Sequence, residues 1–162
     1  MTSRLPLHNS AILKSLLGKK IVSVKRQLFQ GDMDLPEYEQ NADGPVELKF
    51  SDGAVMHFIA DTEKISIGIV LGEMPIYGDS YVFQDLSTNV FWLGRIDQEI
   101  TKFTLFKSSD YSYEYPSEFG IEISFSDGKR ALIEYKDEED YPDMVVVADH
   151  YSGKACIKQS IY

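Results

Sequence analysis

This 162-residue chain has little of what most chemistry requires. A single cysteine, Cys156, excludes an internal disulfide and fits a reducing compartment. The three histidines, His8, His57 and His150, stand far apart. There is no G-x-S-x-G, no H-E-x-x-H and no phosphate-cradling G-x-x-x-x-G-K-[ST]. No run approaches the roughly 18 apolar residues of a membrane span. The opening residues, MTSRLPLHNS, lack the charged-then-apolar order of a signal peptide. A cytoplasmic protein is expected. Bases are outnumbered, 16 against 26 acids, for a net charge of −10. That excludes a phosphate-gripping nucleic-acid surface, which must be basic, and leaves room for a basic partner.

What is present is a pattern that occurs twice. FSDG stands at 50–53 and again at 125–128. Its flanks, VELKFSDGAVMHFI and IEISFSDGKRALIE, alternate in hydrophobicity, and Asp-Gly between such runs marks a hairpin. A two-residue turn would set Leu48 opposite His57 and Ile121 opposite Glu134, mixing polar and apolar. A three-residue Ser-Asp-Gly loop, with glycine in the left-handed bulge position, segregates both copies. It sets Leu48 against Met56, Val46 against Phe58, Ile123 against Ala131, Ile121 against Ile133, and Glu47 against His57.

The correspondence extends both ways. Residues 10–24 align with 89–103 at an offset of 79: Ser10 or Asn89 as N-cap, about two helical turns, then a strand, IVSVKRQLF or ITKFTLF. Ile12, Leu13, Leu16 and Leu17 form one apolar face, with Phe91, Trp92 and Ile96 in related places. Gly18 suits a helix end. Downstream, ISIGIVL matches DMVVVAD, and GDSYVFQ at 78–84 matches GKACIKQ at 153–159. Each half reads helix, strand, loop, hairpin, strand, strand. The expected class is α+β, mainly antiparallel β: one domain over 1–162, built of two tandem pseudo-repeats, about 1–84 and 85–162, that share one core.

Acidic residues gather in three stretches, 32–43, 108–118 and 134–143. Together these stretches hold 14 of the 26 acids and one base, so the rest of the chain is slightly basic. Six of the ten tyrosines lie there too. Carboxylates steer a cationic partner, and tyrosine offers contact area at low entropic cost. The expected partner-binding residues are Asp32, Asp34, Glu37, Tyr38 and Glu39; Asp110, Tyr111, Tyr113, Glu114 and Tyr115; and Asp137, Glu138, Glu139, Asp140 and Tyr141. The plainer reading is solvated polar loops.

Catalytic signals are thin. His8 suits a turn or cap, and His57 a cross-strand pair with Glu47. His150 lies beside a turn without companions. Cys156, in an alternating strand, reads as buried and inert. The DEED run at 137–140 lacks the alternating spacing of a calcium loop. No catalytic residue, cofactor or metal is expected.

The segments LLGKKIVSVK and VELKFSDGAVMHF, echoed by IDQEITKF and IEISFSDGKRALI, resemble the bacterial immunity proteins of polymorphic secreted toxins. The resemblance rests on a helix end and a hairpin turn, so it transfers no binding residue. It implies a cytoplasmic protein that neutralises a toxin or enzyme domain, covering its basic surface or active site with the acidic, tyrosine-rich loops. Two other readings stay open: an adaptor or regulatory module without a toxin partner, and a small-ligand binder or enzyme with a site between the halves.

Overall fold

Among the described residues, alternating apolar side chains dictate ten strands, and turn residues divide them. The computed structural model describes residues 3–29, 44–109, 117–138 and 141–161. The first half opens with a 3₁₀ turn, Pro6–Asn9, running into helix α1, Ser10–Ser15. Strands β1 (Ile21–Phe29), β2 (Val46–Phe50), β3 (Val55–Asp61), β4 (Ser66–Leu71) and β5 (Tyr81–Asp85) follow. The second half begins with a one-turn helix, α2 (Val90–Leu93). It continues through β6 (Ile100–Ser108), β7 (Glu118–Phe125), β8 (Arg130–Glu138), β9 (Tyr141–Ala148) and β10 (Cys156–Ser160).

The strands form two five-stranded antiparallel sheets. Their orders are β4-β3-β2-β1-β5 and, read from the corresponding edge, β9-β8-β7-β6-β10. In each, four strands meander and the fifth returns beside the first. Both Asp-Gly hairpins take the three-residue loop. Val46 faces Phe58 and Leu48 faces Met56; Ile121 faces Ile133 and Ile123 faces Ala131. Gly53 and Gly128 sit at φ +90° and +89°, where a side chain is strained. Asp52 and Asp127 each accept a hydrogen bond from the amide two residues on, at 3.0 Å.

Several other main-chain bonds recur at the same offsets. The Gly18 amide donates to Ile100 and the Asp97 amide to Ile21. Ser51 donates to Lys20 and Ser126 to Glu99; Leu86 donates to Val24 and Ile161 to Phe103. Lys20 and Glu99 themselves form an antiparallel bridge that joins the halves.

One cluster of buried side chains draws on both sheets. Leu48, Phe50, Met56, Phe58 and Ile69 come from the first; Phe103, Ile121, Ile123, Ile133 and Val145 from the second. Leu13 of α1, Leu16 just after it and Trp92 of α2 join it. Burying a large apolar side chain contributes about 1.5–3 kcal/mol each, which is why the alternation holds on inward faces.

The helix starts depart from expectation at one point. Asn89 caps α2 as expected, its side chain accepting from the Phe91 amide at 2.9 Å. Ser10 does not cap α1, because Pro6 starts the helical path earlier and leaves Ser10 inside it. Asn9 turns its amide back onto the Leu5 carbonyl instead. Gly18, at φ +81°, ends the turn after α1.

Candidate binding surface

With the inward faces packed, the outward faces distinguish the sheets. Strand order makes the fourth-to-fifth connection cross its own sheet, from one edge to the other side of the first strand. In the first half, residues 72–80 make this crossing and are fastened to three strands. Carbonyls only accept, so His57 of β3 donates from Nδ1 to the Gly72 carbonyl at 2.9 Å. Its Nε2 then accepts from the Tyr77 hydroxyl at 2.7 Å. Glu47 of β2 accepts the Met74 amide at 2.8 Å. Gln27 of β1 accepts the Tyr77 amide at 3.0 Å and donates to the Pro75 carbonyl. Glu47 and His57 do stand opposite each other, but both side chains serve this strap. Burial holds the His57 pKa below its ordinary value, against the Gly72 bond and the nearby Glu47 charge.

In the second half, residues 149–155 cross by a different means. Tyr151 packs on Phe106 and Phe119, ring centroids 5.5 Å away in each case. A bulge between Phe106 and Lys107 leaves Phe119 outside the alternating register, which carries its ring to the outer face. Tyr151 thereby divides the outer face in two. On one side is a cleft of about 850 Å³. Its floor holds Glu134 and Lys136, 3.5 Å apart; its walls include Phe119, Tyr151 and Cys156, and Ile65 reaches in from the first half. Burial raises the pKa of the Tyr151 hydroxyl and of the Cys156 thiol, with the Glu134 charge adding to both.

The expected site residues fall unevenly. Asp32, Asp34, Glu37, Tyr38 and Glu39, as well as Asp110, Tyr111, Tyr113, Glu114 and Tyr115, lie outside the described residues, as do Glu139 and Asp140. The stretch 134–143 is not a long loop: β8 runs to Glu138 and β9 starts at Tyr141, with Glu138 paired to Tyr141. Asp137 is exposed at the cleft rim. Two acids of these stretches are buried in strands. Glu134 is 2% exposed, and Glu118 of β7 accepts the Leu7 amide at 2.8 Å. Burial raises the Glu118 pKa, with that bond pulling the other way. Two segments nevertheless have their roots together. Ser108, Ser109 and Ser117 flank 110–116, Lys136 and Asp137 lead to 138–140, and all five line the one cleft.

Cys156 is half-buried on this cleft wall, not sealed in the core, because β10 is an edge strand. His8 is exposed in the 3₁₀ turn, and His150 is exposed and bonded to Asp149. Among the described residues, no three His, Cys, Asp or Glu side chains gather to hold a metal ion. None of the described helices is long and apolar enough to cross a membrane. A cavity of about 290 Å³ lies against the first half, lined by Gln27, Tyr77 and Tyr81 among others, and reaches the second half at Val145; no histidine or carboxylate is among its described lining residues. Arg26 went unnoticed in the sequence. It occupies an inward place between Val24 and Leu28, fully buried, and donates to the Gly44 and Val145 carbonyls at 2.7 and 2.6 Å. A charged residue in the apolar phase of an alternating strand was the available signal.

No family model matches the chain, and no curated protein or solved structure matches it either.

Proposed function

We propose that this chain is a cytoplasmic binding protein that neutralises a toxin or enzyme domain by covering its basic surface or active site. The observation that carries this reading is the common root of two acidic, tyrosine-bearing segments at one 850 Å³ cleft. Carboxylates around a concave, partly aromatic surface favour a cationic protein partner, whose encounter they speed and orient. We propose further that the two halves derive from an internal duplication. The shared strand order, the two identical loop geometries and the recurring main-chain bonds support it.

The test replaces Asp137, Glu138, Glu139 and Asp140 together by Lys. The partner to use is the toxic C-terminal domain of a secreted protein encoded beside this chain. Wild type is expected to co-purify with that domain and restore growth, and the reversed variant to lose both. Undiminished neutralisation by the variant would sink the assignment to this segment.

A further inference from the structure

Beyond Tyr151, the same outer face changes sign. A groove of about 470 Å³ there is lined by Lys102 and Thr104 of β6, Glu122 and Ser124 of β7, Arg130 of β8 and Lys158 of β10, among others. The register sets Lys102, Ser124 and Arg130 in one row across the sheet. Thr104 and Glu122 form the next row, and Lys158 beside Phe106 belongs to the one after. Three cations thus surround one carboxylate on a chain whose net charge is −10. Among the described residues, Lys102, Arg130 and Lys158 form no ion pair, and Glu122 receives no hydrogen bond.

The first sheet shows what a carboxylate at this place does. Glu47 is an outward residue of β2, as Glu122 is of β7, and the two correspond at the same offset as the paired FSDG turns. Glu47 accepts a main-chain amide from the strap lying over it. Glu122 has no such strap amide.

We propose that this groove receives an extended, acidic segment of a protein partner. Glu122 accepts one of its main-chain amides, as Glu47 does within the chain. Lys102, Arg130 and Lys158 pair with its carboxylates, which in an extended segment project to one side at every second residue. The proposal adds a second surface to the one above and does not depend on it, since Asp137 lines the cleft and the groove has its own lining residues across Tyr151. A partner that used both surfaces would need a basic patch and an acidic strand side by side, which fixes its orientation.

The test uses the full chain, labelled with ¹⁵N, and an acetylated octapeptide of alternating Glu and Ala. The same peptide N-methylated at its Glu or at its Ala amides, a Lys-Ala octapeptide and pyrophosphate serve as controls. The acidic peptide is expected to shift amides near 102–104, 122–124 and 158–160. The Lys102→Glu/Lys158→Glu variant abolishes this. One of the N-methylated peptides binds about tenfold more weakly, the scale of a hydrogen bond to a charged group. That difference disappears in Glu122→Val, whose fold is checked by its thermal transition. Equal binding of all the acidic peptides, binding of pyrophosphate without the peptide, or binding of the Lys-Ala peptide in the groove overturns the proposal.

Discussion

The two sheets run the same strand order, and two of three matched outward positions tell them apart. In the first sheet, Gln27, Glu47 and His57 fasten the crossing strap through polar bonds. At the matching places the second sheet has Phe106, Glu122 and Leu132. The strap there is held by ring packing at Phe106, with a cleft on one side and a groove on the other. Buried polar groups must find partners, so a Gln-Glu-His set commits the first face to one strap. A Phe-Leu pair makes no such demand; both side chains are buried, and the open surface lies in the cleft and the groove beside them. One outer face is closed by its own chain; the other offers surface.

The comparison breaks most severely at Arg26, whose counterpart at offset 79 is Leu105. Arg26→Leu gives the first sheet the residue of the second and leaves the Gly44 and Val145 carbonyls without this donor. We predict a loss of about 2–4 kcal/mol in urea denaturation. A loss below about 1 kcal/mol would show that the guanidinium does not tie the halves together.

A second break exchanges a pin. His57→Leu installs the residue found at Leu132, frees the Gly72 carbonyl and the Tyr77 hydroxyl, and is expected to cost about 1–2 kcal/mol at pH 7.5. The pH dependence has a definite sign. Burial lowers the folded-state pKa of His57, so below about pH 6.5 the unfolded chain binds the proton more readily. The stability from neutral His57 is present above that pH and is lost as pH falls toward the depressed folded pKa. The gap between wild type and His57→Leu should therefore narrow from pH 7.5 to pH 5.5. A gap that widens on acidification contradicts the assigned neutral tautomer.

The smallest effect sharpens the likeness. Gly53→Ala and Gly128→Ala both force a side chain into positive φ, and at neither site would the added Cβ meet another atom within 4 Å. Backbone strain alone sets the cost, so both should lose about 1 kcal/mol, equal within error, in thermal unfolding. Unequal losses would show that the two turns only look alike.

These contrasts also mark what the sequence can disclose. Hairpin registers were legible because apolar alternation admits only one loop length once both copies must segregate. The strands after each hairpin were legible for the same reason. The pins were not. Glu47 opposite His57 reads as a cross-strand pair, because nothing local says that a strap further along the chain will claim both. Glu118 and Glu134 read as surface acids because neighbouring acids mask their strand phase. Cys156 read as buried because alternation reveals a face but not whether its strand lies at an edge. Of the expected binding residues, sequence located the acidic segments, while only the fold shows two of them starting from one cleft.

The strand order carries a kinetic consequence. β5 pairs with β1 across the whole intervening meander, from Phe29 with Tyr81 to Lys25 with Asp85. Every other pairing in that sheet joins consecutive strands. The meander can form by short-range closures, whereas the fifth strand must pay for a long loop before its first ladder bond returns anything. Folding of each half is therefore expected to end with the strap laid down and the fifth strand docked behind it. The strap acts as the leash that brings that strand to its edge, and the two halves differ in how firmly the leash is tied.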